Sequence, residues 1–299
     1  MPRSLRLAHI SDIHCTGGGV WEPEGWDAGV KLVNEMRPDA VLISGDFTDW
    51  GLRAEWEKIV PRLDELRAPK VTCLGNHDAR REGWRIYEEM LGRDRYYATR
   101  IKDVDFIVLD SSQPDLDDGE VGREQRGWLR DRLREAEFPV VVLHHHLVPI
   151  PNTGREMNIC RDSGGVLKIL SEWKVPLVLG GHRHMPWAWE LNETLIAHAG
   201  TFSSNKRQMP HSFNMVTIGE ERVKVELVKF ALDGNAETSL IADACLDEQW
   251  GGQGREDDIR SVHEAGLRPE GPARGGRDEG QSADKRERRR AGDGQLLGR

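Results

Sequence analysis

The chain has 299 residues and a formal charge of −9 at pH 7, so it is long enough for one large or two small well-buried domains and is too acidic overall for a general polyanion binder. Its four cysteines, Cys15, Cys73, Cys160 and Cys245, are widely spaced with no C-x-x-C pair, which argues against a disulfide scaffold or cysteine zinc site and fits a reducing compartment. No leading apolar segment and no run of membrane-spanning length occurs, so a soluble, cytoplasmic protein without membrane contact is expected.

Leu5 to Ile10 reads as a strand and is followed by S-D-I-H. Asp12 and His14, at i and i+2, would share one face of an extended chain. Helical spacing from Trp26 to Met36 ends before Pro38. Val41 to Ile43 is a buried-type strand that leads to Gly45, Asp46 and Asp49. Asp49 either caps the next helix or serves a site, and the two do not exclude each other.

Ala54 to Leu66 is amphipathic, and Val71 to Leu74 then ends in G-N-H-D, Gly75 to Asp78. A helix is expected over Trp84 to Leu91. Val104 to Leu109 ends in Asp110, Arg123 to Glu135 is helical, and Val140 to Leu143 ends in His144, His145 and His146. Val175 to Leu179 leads into G-G-H-R-H, with His182 and His184 again at i and i+2.

Strands and helices thus alternate to about residue 185, which predicts a largely parallel sheet with its site outside the carboxyl ends of the strands. The later runs, Trp187 to Leu191, Thr194 to Ala199, Phe213 to Ile218 and Val223 to Phe230, read as antiparallel strands of a meander or second sheet. From Gly251 the chain is rich in Gly, Arg, Glu and Asp, so residues 1–250 are expected to form the folded domain and 251–299 a disordered, solvated tail. The basic block Lys285 to Arg290 belongs to that tail.

Six strand ends offer polar groups, and seven of these suit metal: Asp12, His14, Asp46, Asn76, His144, His182 and His184. Seven ligands suit two ions with one bridging carboxylate. Mixed oxygen and nitrogen donors point to Zn, Mn, Fe or Co over Ca. Two such ions, about 3.5–4 Å apart, lower the pKa of a bridging water and neutralise a phosphoryl oxygen. That is the chemistry of phosphoester hydrolysis.

The motifs D-x-H (Asp12, His14), G-D-x-x-D (Gly45, Asp46, Asp49), G-N-H-D (Gly75 to Asp78), the histidine after a strand (His144) and G-H-x-H (Gly181, His182, His184) occur in this order. Together, across about Leu5 to Thr201, they resemble the calcineurin-like metallophosphoesterase family. G-N-H-D-A-R and the stretch G-E-x-x-x-x-Q-x-x-W-L, Gly119 to Leu129, resemble its bacterial cyclic-nucleotide phosphodiesterase branch.

The resemblance implies an α/β fold of two packed mixed β-sheets flanked by helices, an αββα sandwich. It implies that Asp12, His14 and His184 hold one ion, that Asn76, His144 and His182 hold the other, and that Asp46 bridges. His77, oriented by Asp49, would contact the phosphate or protonate the leaving oxygen. Metal-bound hydroxide would attack phosphorus in line. Apart from the resemblance, Asn76 and Arg80 are read as further substrate contacts. The branch often has His-His-Pro where this chain has His144-His145-His146-Leu147. Which histidine ligates is therefore open; His144 is favoured, and His145 or His146 lines the pocket or faces solvent.

Other residues have plainer readings. His9 is a core residue; His198 is similar, though close to the motifs. Trp187 and Trp189 either pack or stack on a base. Lys206 and Arg207 are read as solvated surface ahead of phosphate contacts. Asp110 orients a ligand histidine or makes a turn.

The expected function is a phosphodiesterase for a small diester such as a cyclic nucleotide or glycerophosphodiester. A metal-dependent DNA nuclease is the second reading, disfavoured by net acidity. A non-catalytic scaffold of the same fold is the third, and it would lack ligands that this chain has.

Overall fold

The computed structural model describes residues 4–154 and 158–246. The expected boundary at 250/251, the expected disordered tail and its basic block lie outside the described residues. One sheet contains β1 (Leu5–Ile10), β2 (Ala40–Ile43), β3 (Lys70–Thr72), β10 (Ser212–Ile218), β11 (Arg222–Phe230) and β12 (Ala236–Cys245), in the order β12-β11-β10-β1-β2-β3. The other contains β4 (Tyr97–Ile101), β5 (Val104–Val108), β6 (Pro139–Val142), β7 (Leu177–Gly180), β8 (Trp187–Leu191) and β9 (Thr194–His198), in the order β4-β5-β6-β7-β9-β8.

Both sheets are mixed. β1, β2 and β3 run parallel, with Ile10 beside Ile43 and Ile43 beside Thr72. β5, β6, β7 and β9 also run parallel. The remaining pairs are antiparallel. The C-terminal strands therefore do not form a sheet of their own. β10 returns to pair with β1, while β8 and β9 extend the sheet begun by β4 and β5.

Alternation along the strands explains the layers. Leu5, Leu7, Ala40, Leu42, Val216 and Ile218 join Phe106, Val108, Val140, Val142, Leu177 and Leu179 in one core between the sheets. The opposite residues, Ala8, Ile10, Val41, Ile43 and Met215, face a second core with helices α1 (Pro23–Met36), α2 (Arg53–Ile59) and α3 (Gly83–Leu91). The other helices, α4 (Gly122–Glu135) and α5 (Ser163–Glu172), carry buried Leu129, Leu133, Val166, Ile169 and Leu170.

α1 begins at Pro23, whose missing N–H costs nothing in a first turn, and closes on Arg37 in left-handed conformation. The amphipathic run from Ala54 is not one helix: α2 gives way to a 3-10 turn over Val60–Glu65, where Pro61 cannot donate to the α ladder.

The helix-side core centres on Trp56, fully buried, with Phe47 and Tyr87 rings at 5.6 and 5.9 Å between centroids. Trp56→Ala should lower the unfolding free energy by about 3–5 kcal/mol. Urea denaturation checks this, and a loss below about 1 kcal/mol would contradict the packing described.

Candidate metal centre

The five strands that precede the expected ligands, β1, β2, β3, β6 and β7, point their carboxyl ends to one edge of the sandwich, as does β5 before Asp110. At that edge the backbone turns sharply. Asp12, His14, Asp46, His182 and His184 all have left-handed φ, between 52° and 79°. This conformation is uncommon for residues other than glycine and clusters where function requires it. The two i, i+2 pairs therefore converge because the chain is turned at each donor. The extended geometry expected from the sequence does not apply, because β1 ends at Ile10 and β7 at Gly180. Gly75 is required at this edge: a Cβ there would lie 2.2 Å from Asp46 Oδ1 and 2.3 Å from its backbone nitrogen.

The seven residues come together. His14 Nε2 lies 2.9 Å from His184 Nε2, and Asp12 Oδ1 lies 3.2 Å from His184 Nε2. Asn76 Oδ1 lies 3.1 Å from His144 Nε2 and 2.9 Å from His182 Nδ1. Asp46 Oδ2 stands between the groups, 3.6 Å from His14 Nε2 and 3.4 Å from His144 Nε2. Donor atoms of Asp12, His14 and His184 lie mutually within 4.8 Å, as do those of Asp12, Asp46 and His144, and those of His14, Asp46 and His77.

Neighbouring acceptors fix the direction of two rings. His144 donates from Nδ1 to the Ser44 carbonyl at 2.7 Å, so Nε2 faces the pocket. His14 donates from Nδ1 to Asp49 Oδ1 at 3.1 Å, with the same consequence. Bonds of this kind orient imidazoles toward a metal.

The electrostatics suit a cation. Burial opposes ionisation of Asp12, but the neighbouring His184 and His14 outweigh it and hold the carboxyl well below its usual range. Asp46 is treated the same way, with His144 and His77 as the leading opposing groups. Burial lowers His144, yet Asp46 and Asp12 push it up to about 9. Burial and the neighbouring histidines lower His182, and burial lowers His184 to about 4, leaving neutral imidazoles. His182 Nε2, fully buried, has no hydrogen-bond partner. Burial opposes the charge on His14 too, yet Asp12, Asp49 and Asp46 raise it, so carboxylates favour the protonated form of two of the imidazoles while His182 and His184 stay neutral. With metal in place of those protons, the carboxylates and imidazoles form a donor set that fits two transition-metal ions.

Around this core stands a second layer. Asp49 does not cap α2, whose N-cap is Leu52. Its carboxylate accepts from His14 and from the Lys206 ammonium, at 2.8 Å, and lies 3.2 Å from His77 Nδ1. The Asp49 carbonyl accepts from His77 Nδ1 at 2.6 Å and from Arg80 at 3.1 Å. Lys206 Nζ is 3.0 Å from His77 Nε2. Asp78 accepts from the Phe47, Thr48 and Gly75 amides and from the Thr48 hydroxyl, tying the β2 and β3 loops together.

Lys206 is thus part of the site and not solvated surface. The cause of the difference is topological: β9 is parallel to β7, so the loop after His198 rises at the same edge. Read as antiparallel, that loop falls at the wrong end. Asp78 and Asp117 were also missed. The first was hidden by an ordinary turn signature, and the second lies in a loop without a motif. Asp117 accepts from Arg80 at 3.0 Å and from the Asn76 amide at 3.3 Å.

The open histidines are resolved in part. His145 is buried, bonded to the Ser111 hydroxyl and the Asp117 carbonyl. His146 is buried as well, so neither faces solvent. Asp110 pairs with Arg95 and accepts from Ser112, and no histidine is among these bonds. His9 is a core residue bonded to Ser44. Trp187 and Trp189 pack edge to face, and Trp189 donates to the Pro149 carbonyl. A cavity of about 320 Å³ opens onto the donors, lined among others by Asp46, Asn76, His77, Arg80, His182 and Lys206.

Known proteins share this fold. Solved structures with the same fold include a purple acid phosphatase from yellow lupin (TM-score 0.65, 13% identity, covering 87% of this chain and 55% of that one). A dimetal phosphatase from Danio rerio has TM-score 0.60 at 13% identity, covering 80% of this chain and 99% of that one. In sequence, the chain is 30% identical over 193 residues to a probable cyclic nucleotide phosphodiesterase of Synechococcus, covering 60% of this chain and 74% of that one. It is 32% identical over 197 residues to a cAMP/cGMP dual specificity phosphodiesterase of Mycobacterium tuberculosis, covering 60% and 61%. A glycerophosphodiester phosphodiesterase of Enterobacter lignolyticus is 28% identical over 229 residues, covering 69% and 80%. Residues 5–186 match the family described as calcineurin-like phosphoesterase, and the chain belongs to that family of metal-dependent phosphoester hydrolases.

Proposed function

We propose that this chain is a binuclear phosphodiesterase that hydrolyses a small diester, such as a cyclic nucleotide or a glycerophosphodiester. The carrying observation is the convergence of two buried donor groups on Asp46 Oδ2. The names of the relatives above support a diester. In this reading Asp12, His14 and His184 hold one ion, Asn76, His144 and His182 hold the other, and Asp46 is shared. When bound, the ions supply a water activated near neutral pH and neutralise charge on the phosphoryl oxygens.

The chain's own residues then position and protonate. His77 must donate from Nδ1, because a carbonyl only accepts. Its Nε2 therefore carries the lone pair and faces two cations, Lys206 at 3.0 Å and Arg80 at 3.4 Å. In this arrangement His77 Nε2 takes a proton from the Lys206 ammonium and passes it to the leaving oxygen, and the Lys206 amine regains a proton from solvent. Arg80 and Lys206 also balance substrate charge at the mouth of the cavity. Asp49 holds His14, His77 and Lys206 in one register.

Among the described residues no helix is long and apolar enough to cross a membrane. A cytoplasmic setting agrees with the four unpaired cysteines, three of them buried.

A substrate panel of monoesters, diesters and DNA, assayed with Mn, Zn, Fe and Co, tests the reading. Preference for DNA or monoesters would overturn it. Asp46→Ala should reduce metal retention from two ions per chain to less than one, measured by elemental analysis; retention of both would refute the shared role. His77→Ala should lower kcat by about a hundredfold or more while metal content holds. Lys206→Ala should lower kcat/KM by roughly tenfold, the weight of one lost charge-assisted bond. Unchanged kinetics in that variant would remove Lys206 from the mechanism.

A further inference from the structure

Beside the metal cavity lies a second one of about 430 Å³, lined by Trp50, Arg80, Arg81, Asp115, Leu116 and Asp117. The two cavities share Trp50, Arg80 and Asp117. The annex therefore adjoins the place where a phosphate would sit. Trp50 is 49% exposed and Leu116 is 43% exposed. Large apolar side chains left open beside a polar site mark a place for a ligand.

Trp50 is also well placed. It follows Asp49, whose carbonyl anchors both His77 and Arg80. The Arg80 guanidinium lies over its ring at 5.0 Å from the centroid and bonds Asp117 at 3.0 Å. The indole is thus held one residue from Asp49, whose carbonyl anchors the groups that would face the phosphate. The Asp115 carboxylate accepts from the Arg81 amide at 2.9 Å, which fixes the loop on the far side.

A flat aromatic face, a guanidinium and exposed carboxylates together fit a planar heteroaromatic ring with hydrogen-bonding edges. Glycerol and ethanolamine have no such face, and the Arg80 guanidinium already over the Trp50 ring repels a choline cation there. We infer that the annex is a nucleobase subsite, in which Trp50 stacks on the base and Leu116 adds apolar contact. Asp115 and Asp117 offer acceptors to exocyclic amino groups. The inference rests on the phosphodiesterase reading and narrows it to diesters that carry a base.

The test uses the full chain loaded with Mn and compares wild type with Trp50→Ala, Trp50→Phe and Leu116→Ala. The substrates are 3′,5′-cyclic AMP, which carries a base, and glycerophosphoethanolamine, which does not. Trp50→Ala should lower kcat/KM for the cyclic nucleotide at least about tenfold more than for the base-free diester, mainly through KM. Trp50→Phe should keep most of the selectivity, and Leu116→Ala should lose part of it. Equal losses on both substrates, no loss on the cyclic nucleotide, or a wild type that turns over only the base-free diester would overturn the subsite.

Binding is measured in parallel by NMR titration with AMP and with ribose 5-phosphate. If wild type cleaves neither diester, the phosphodiesterase reading fails, and this titration alone decides the subsite. Tighter binding of AMP that weakens in Trp50→Ala upholds it; equal binding of the two phosphates refutes it.

Discussion

Two imidazole nitrogens, His14 Nε2 and His184 Nε2, are held 2.9 Å apart beside Asp12 and Asp46 in a buried pocket. Bringing these donors together is the constraint that the rest of the structure serves. Desolvated carboxylates are costly unless a positive charge lies among them. Left-handed backbone at five donor residues adds about 1–3 kcal/mol of strain each. Such an arrangement persists only if the surrounding fold over-determines it. Asp78 does much of this, because its carboxylate gathers amides from the β2 and β3 loops and so fixes Asp46 relative to Asn76. Gly75 lets those loops approach to a distance that any side chain would forbid.

The donors do not come from one sheet. Asp12, His14, Asp46 and Asn76 follow β1, β2 and β3, whereas His144, His182 and His184 follow β6 and β7. The space between the two groups is set by the apolar layer between the sheets, where Leu7, Leu42, Val142 and Leu179 meet. Packing in that layer and geometry at the edge are therefore one problem. A close-packed interior changes spacing little under load, which is what a pair of coordination shells requires.

Much of this was legible in the sequence, for a physical reason. A parallel strand must be apolar on both faces, so its end is marked by an abrupt polar residue. Ile10, Ile43 and Leu143 are followed in this way by Asp12, Asp46 and His144, and all six such runs do meet at one edge. What the sequence could not carry was strand direction. Thr194–His198 looks like any short strand, and only its pairing with β7 brings Lys206 beside His77. The membership of the sheets was hidden for the same reason, since β10 pairs with a strand about two hundred residues earlier. Local pattern reports burial and period; it does not report which distant partner supplies the hydrogen bonds.

The inner and outer parts of the site also differ in what holds them. The donors stand on strand ends braced by buried bonds, such as His144 to Ser44 and His14 to Asp49. Trp50, Leu116 and Lys206 stand on loops, two of them with large apolar surface in solvent. A braced inner shell keeps the hydrolytic chemistry constant, while loops can exchange side chains without disturbing a core. Discrimination among diesters should therefore reside in the rim, because a phosphodiester looks alike to the inner donors whatever it carries. Trp50 is the rim residue best placed to read the substituent: it is chained to the phosphate-facing groups through the Asp49 carbonyl and Arg80, yet half of its surface remains exposed to whatever is attached.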